Sequence, residues 1–136
     1  MVRRALIFVA LLVAAPLVHA CGVCVEDKIA AVYDHAAISR ALQARNAVVF
    51  FAIEGAIPPG AAALRRIAAL AASGPAVRKD SVRLSRDAAA LALAFDPRRA
   101  NLAKVQRLLE RKLAPMGLTL FAMRVMDKPG ELAQSF

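Results

Sequence analysis

The stretch SVRLSRDAAALALAFDPRRANLAKVQRLLERKLAPMG, residues 81–117, decides the fold. Its opening VRL (82–84) alternates apolar and polar side chains, which is typical of a strand with one solvated face. After a turn at RDAA, ALALAF (90–95) places large side chains on one face and alanines on the other, which predicts a second strand. Asn101 is then a candidate N-cap for an apolar-periodic helix over residues 102–113.

The flanking segments complete a six-element pattern. AVVFFAI (47–53) is β-branched and aromatic and predicts a strand, and LTLFAMRVM (118–126) predicts another. Between the first strand and VRL, AAALRRIAALAAS (61–73) has apolar residues at helical spacing and ends at Gly-Pro. The order strand–helix–strand–strand–helix–strand predicts an α+β fold of the ferredoxin-like βαββαβ type. Two right-handed crossovers then place both helices on one face of a four-stranded antiparallel sheet.

The second face of this predicted sheet is also apolar, so it needs a cover. In the last strand, Phe121, Met123 and Val125 alternate and are expected to share one side. An alanine-rich segment without glycine or proline predicts one helix over residues 24–44, about five turns long. This N-terminal helix is the available cover, and the alanine face of ALALAF lets it approach closely. A dimer or a partner protein is the alternative.

These elements resemble the heavy-metal-associated domain, a family that includes small copper chaperones and periplasmic mercury-binding proteins. The shared motif is a strand ending in an aromatic-Asp-Pro step, here Phe95-Asp96-Pro97, then a helix closing on glycine, here Gly117. The resemblance extends over residues 47–126 and implies a metal-binding ferredoxin-like domain. The family holds its metal in a CxxC loop after the first strand. In this chain that loop is EGAIPPG (54–60), without cysteine, histidine or methionine, so the family's site is not carried over.

The first twenty residues predict a secretory signal. MVRR is a positive segment, ALIFVALLVAAPLV is apolar, and VHA offers small residues before a cleavage point after Ala20. The mature protein is therefore expected to be exported, in the periplasm. The predicted organisation is a signal peptide (1–20), a CxxC segment with its helix (21–46), the ferredoxin-like domain (47–126) and a C-terminal tail (127–136).

The chain's two cysteines, Cys21 and Cys24, follow that cleavage point at the start of the predicted helix. Helix N-terminal N–H groups stabilise thiolates, and two thiolates at this spacing can bind one soft ion such as Cu(I), Zn(II) or Hg(II). A closed structural zinc site wants four ligands. His35 lies about 16 Å further along a continuous helix and cannot share the ion unless that helix breaks. An open, exchangeable site is the favoured interpretation.

Other interpretations of the cysteines stay open. The pair can instead form a disulfide or a redox centre, since exported proteins keep such bonds. LVHAC also approximates a lipobox, in which case Cys21 carries a lipid anchor.

The charge pattern bears on partners. Loss of Arg3 and Arg4 takes the formal net charge from +9 to +7, which favours an acidic protein partner, a metal acceptor or the anionic membrane surface over nucleic acid in an exported protein. The alternative is that the arginines bind no specific partner and keep an alanine-rich protein soluble. No phosphate-binding or nucleophile-elbow motif occurs in the sequence. We therefore expect a metal-binding or metal-trafficking protein without enzymatic activity, with an interaction module of the same fold as the alternative.

Overall fold

The computed structural model describes the backbone of residues 21–130 and the side chains of residues 25–130. The predicted signal peptide and residues 131–136 of the predicted tail lie outside the described residues. The elements are α1 (Cys21–Ala31), α2 (His35–Gln43), β1 (Ala47–Glu54), α3 (Ala61–Ala72), β2 (Arg83–Ser85), β3 (Ala90–Phe95), α4 (Leu102–Leu113) and β4 (Thr119–Met126). Short 3-10 turns occupy Lys79–Ser81 and Ala114–Met116.

The described chain has a mixed α+β fold built on a four-stranded antiparallel sheet with four α-helices. The strand order is β2-β3-β1-β4, so β1 and β3 are central and β2 and β4 are edges. In the central pair, Val49 lies opposite Leu93 and Phe51 lies opposite Leu91. AVVFF in β1 and ALALAF in β3 are buried at every position. This is because both faces of each central strand are covered.

The first face of the sheet packs against α3 and α4. Val49, Phe51 and Leu93 belong to the same buried cluster as Ile67 of α3 and Leu109 of α4. Each of these side chains is at most 1% exposed. Asn101 caps α4 through its Oδ1, which accepts from the Lys104 N–H at 2.9 Å.

The second face packs against α1 and α2, and small side chains make this possible. Ala90, Ala92 and Ala94 of β3 form one buried cluster with residues that include Ile29 of α1 and Leu42 of α2. Alanines leave room for a second layer to approach the sheet closely. Between the two helices, the Tyr33 ring stacks on Phe50, with centroids 6.2 Å apart and planes 9° apart.

The prediction of one helix over residues 24–44 is wrong, because the covering segment is two helices. The chain leaves helical geometry after Ala31, and Asp34 takes an extended conformation at the N-cap of α2. Its Oδ1 accepts a hydrogen bond from the Ala37 N–H at 3.0 Å. Aspartate favours this position because its carboxylate satisfies an N–H group that has no partner inside the helix.

The prediction that Phe121, Met123 and Val125 share one side is also wrong. The pairing of β4 with β1 shifts by one residue between Phe50 and Phe51. Residues directly opposite each other in paired strands have side chains on the same face of the sheet. Phe121 lies opposite Ala52 and Val125 lies opposite Val49, and these two β1 residues are on opposite faces. Met123 packs with the α1–α2 cluster, while Phe121 and Val125 are 60% and 38% exposed. A bulge of this kind depends on strand pairing and leaves no clear mark in the alternation.

None of the helices in the described part of the chain has the length and apolarity needed to cross a membrane.

Candidate functional site

Cys21 and Cys24 both lie in the first turn of α1. Their side chains lie outside the described residues, so the backbone gives their relation. Positions three apart on a helix are neighbours, with Cβ atoms about 5–6 Å apart. Cys21 and Cys24 are the first and fourth residues of α1 as the structure describes it, and this turn contains no acidic residue. The backbone of α1 therefore makes the two cysteine positions neighbours on one helix.

Two polar contacts from α1 fix that helix against the sheet. Lys28 Nζ donates to the Ala88 carbonyl at 2.7 Å, in the turn between β2 and β3. Arg124 of β4 forms an ion pair with Glu26. These contacts reach two separate parts of the sheet, so they hold the described part of α1 in a defined position.

A third contact fixes the start of α2. Arg83 donates to Asp34 Oδ2 from Nε at 3.1 Å and from Nη2 at 2.9 Å. The hydrogen bond from the Ala37 N–H, and then the bonds from Arg83, lower the pKa of the Asp34 carboxyl below its ordinary value. Asp34 is therefore the residue where the helix break and the attachment to β2 coincide.

His35 is exposed in the first turn of α2, and its ring centroid lies 6.4 Å from that of Tyr33. Because the helix breaks before it, the distance expected along one continuous helix does not apply to this histidine. Across the described residues, no group of three or more His, Cys, Asp or Glu side chains is placed to hold a metal ion.

The loop after β1, where the resembling family carries its metal, has a packing role here. Arg86 Nη2 donates to the carbonyls of Pro58 at 2.8 Å and Gly60 at 2.6 Å. Gly55 has φ of 105°, and a Cβ atom there would lie 2.4 Å from the Gly117 carbonyl oxygen. The loop therefore needs a glycine at its start and uses two of its carbonyls to accept from Arg86.

The described methionines do not form a common thioether group. Met116 packs against the α3–α4 cluster, whereas Met123 and Met126 belong to the α1–α2 cluster on the other side of the sheet. Their positions are those of apolar side chains that fill the two cores.

Sequence reasoning missed the residues that attach the N-terminal helices to the sheet. Asp34 did carry a signal, since an aspartate followed by HAAI is a typical helix start. Its partner Arg83 carried none, because the two residues are 49 positions apart and meet only in the folded chain.

No protein-family model matches the chain, and no curated protein matches it in sequence. The candidate site therefore rests on the chemistry and placement of its own residues.

Proposed function

We propose that this chain is an exported protein, residing in the periplasm, that binds and passes on one soft metal ion through Cys21 and Cys24. The ion is of the class of Cu(I), Zn(II) or Hg(II), all of which accept thiolate ligands. The scaffold is assigned to the ferredoxin-like type. The strand order β2-β3-β1-β4 supports that assignment, as does the packing of α3 and α4 on one face.

The observation that carries the proposal is the first turn of α1. Positions 21 and 24 are neighbours on one helix, so two sulfur atoms there can reach the same ion. Contacts of Lys28 and Glu26 with the sheet hold the helix that follows. Two thiolates in this arrangement can bind one ion and leave its other coordination positions open.

A two-thiolate site suits transfer better than storage. Zn(II) in a structural site takes four protein ligands, so two thiolates leave positions to which an incoming thiol can bind. The α-amine of Cys21, if cleavage follows Ala20, adds a further donor beside the first sulfur. In this proposal the resembling family's fold is kept and its metal site is moved from the loop after β1 to the start of α1.

The test is a titration of the reduced mature protein with Cu(I) against a competing chelator. We expect about one ion per chain. The variant Cys21→Ser/Cys24→Ser is expected to lose this binding, whereas the matched control Met123→Leu/Met126→Leu keeps it. Binding that survives the double serine substitution contradicts the proposal.

A stability measurement separates a carrier from a structural site. Because an exchangeable carrier site contributes little to the packed core, the double serine variant should unfold within about 1 kcal/mol of the parent. A structural site would couple metal binding strongly to folding. A large loss of urea stability on chelation would therefore show that the metal is structural.

Intact mass distinguishes the other chemistries of Cys21. A disulfide with Cys24 lowers the mass of the mature chain by about two mass units, while a lipid anchor raises it by the mass of its acyl chains. The expected result from the native compartment is a chain that begins at Cys21 with free or metal-bound thiols. A lipid-modified or permanently oxidised Cys21 would instead favour an interaction module of the same fold, anchored or cross-linked at its N-terminus.

A further inference from the structure

The positive charge of the described chain is concentrated on α3 and α4. These two helices contain six basic residues and one acidic residue, a net charge of +5. Residues 21–130 contain 17 basic and 9 acidic residues, a net charge of +8. Five of these eight charges therefore lie on the two helices that cover the first face of the sheet.

On α4 the cations point away from the core. Lys104, Arg107 and Arg111 are all exposed and fall within a narrow arc, since successive residues turn by about 100°. The buried Val105 and Leu109 lie on the opposite side of the helix. On α3, Arg65 and Arg66 are also exposed. We call these five residues, Arg65, Arg66, Lys104, Arg107 and Arg111, the cationic face.

Among residues 25–130, the side chains of the cationic face make no ion pair and no hydrogen bond. The bond from Lys104 to Asn101 is donated by the Lys104 backbone N–H. Basic residues elsewhere on the described chain commonly do have such contacts: Lys28, Arg78, Arg83, Arg86, Arg98 and Arg124. The cationic face is thus not used to attach one element of the described fold to another.

The one carboxylate on these helices, Glu110, lines the same surface depression as Lys104, Arg107 and Arg111, but it is hydrogen-bonded to the neighbouring edge strand. Glu110 Oε1 accepts from Gln106 Nε2 at 3.3 Å and from the Leu120 N–H at 3.4 Å. Gln106 Nε2 in turn donates to the Leu120 carbonyl at 3.0 Å. The two side chains satisfy the backbone of edge strand β4 at Leu120, so Glu110 is directed to the sheet edge and forms no ion pair with Arg107 or Arg111 within the described residues.

Helix stability does not account for Lys104. This residue lies in the first turn of α4, three positions after the N-cap Asn101, and that turn has no acidic residue. The helix dipole disfavours a cation near the N-terminus and favours one near the C-terminus. Arg111, in the last turn of α4, interacts favourably with the helix dipole, whereas Lys104, in the first turn, interacts unfavourably with it.

We propose that the cationic face is a docking surface for a protein partner that presents clustered carboxylates. Four of its five members are arginines, whose planar guanidinium groups pair with carboxylates through two parallel hydrogen bonds. A helix that binds the membrane surface also buries large apolar side chains. In the described chain the exposed large apolar residues are Phe121 and Val125, both on β4, so the cationic face fits an acidic protein better than a lipid surface. This inference does not depend on the thiols.

The experiment measures binding of a fluorescein-labelled oligoglutamate peptide to the mature chain by anisotropy at low salt. Lys104→Glu/Arg107→Glu/Arg111→Glu should weaken binding by about tenfold or more, because it reverses complementary charges. The matched control Arg45→Glu/Lys79→Glu/Arg99→Glu makes the same change in net charge at exposed positions outside the two helices. It should weaken binding by less than about threefold. A milder variant with glutamine at the three α4 positions keeps the test informative if the glutamate variant unfolds.

Equal weakening in both triple variants would show that overall charge alone attracts the peptide, and would overturn the proposal. Vesicles of phosphatidylglycerol and phosphatidylcholine provide the second arm. If the parent binds these vesicles through the cationic face while oligoglutamate binding is insensitive to it, the surface is a membrane site and the proposal fails. Oligoglutamate binding that depends on the cationic face in the Cys21→Ser/Cys24→Ser variant as well would support docking even if no metal is bound.

Discussion

Arg83 of β2 and Asp34 at the start of α2 are joined by two hydrogen bonds to the same carboxylate oxygen, across 49 positions of sequence. The other oxygen of Asp34 caps α2 through the Ala37 N–H. The Asp34 carboxylate therefore caps the start of α2 and also attaches the connection between α1 and α2 to the edge strand β2. This arrangement turns two short helices into a defined cover for the sheet.

The Arg83→Met variant should lower the urea midpoint of unfolding, because it removes the contact that joins α2 to β2. Arg98→Met is the matched control. Arg98 pairs with Asp96 only two residues away, so that pair holds no two distant elements together. We expect the Arg83 variant to be clearly less stable than the Arg98 variant. Equal midpoints for the two variants would show that the Asp34–Arg83 contact does not secure the cover.

Acid should weaken the fold through Asp34. The Ala37 N–H, and then Arg83, lower the folded-state pKa of this carboxyl below its unfolded value. Its contribution is therefore complete above the ordinary aspartate pKa of about 3.9 and is lost as the pH falls through the lower folded value. In urea titrations at a series of pH values, Asp34→Asn should lose less stability below this point than the parent. An identical acid slope in the two proteins would contradict this prediction.

The repeating patterns of the chain predicted the elements that are regular and packed. The alternation of large and small side chains predicts strand Ala90–Phe95, and the helical spacing of apolar residues predicts helix Leu102–Leu113. Both patterns are regular because each element has an unbroken buried face. The break before α2 did not follow, since apolar residues such as Ile29, Val32 and Ala36 keep a helical period through it. The bulge in β4 did not follow either, because it arises only when that strand pairs with β1.

The candidate site, like the fold, was predictable from the sequence only in part. Spacing alone singled out Cys21 and Cys24, because CxxC is a local pattern. The contacts that hold the described part of α1, from Lys28 to Ala88 and from Arg124 to Glu26, link residues 60 and 98 positions apart. No local pattern encodes such pairs, so they became evident only in the folded chain.

The alanine face of β3 should be sensitive to size. Ala92 is 4% exposed beneath the α1–α2 cover, and Ala92→Leu is expected to cost about 1–3 kcal/mol of unfolding free energy through overpacking. Ala103→Leu on the exposed side of α4 is the control and should change stability by less than about 0.5 kcal/mol. Urea unfolding of both variants checks the prediction. Tolerance of leucine at position 92 would mean that α1 and α2 do not pack tightly on the sheet.

A chain that begins at Ala47 tests the cover as a whole. Removing α1 and α2 exposes the apolar face that includes Val48, Phe50 and the β3 alanines. An uncovered patch of this kind drives association, so the shortened chain should dimerise or aggregate in size-exclusion chromatography with light scattering. A monodisperse, folded monomer would show that the sheet does not need this layer.

X-ray absorption at the metal edge of the loaded mature protein tests the metal proposal most directly, because it counts the sulfur atoms bound to the ion. With one equivalent of Zn(II), the proposal predicts two sulfur ligands at about 2.3 Å, with lighter atoms completing the coordination. It also predicts that this sulfur shell disappears in Cys21→Ser/Cys24→Ser. A coordination shell without sulfur, or a sulfur shell that survives the double substitution, would contradict it.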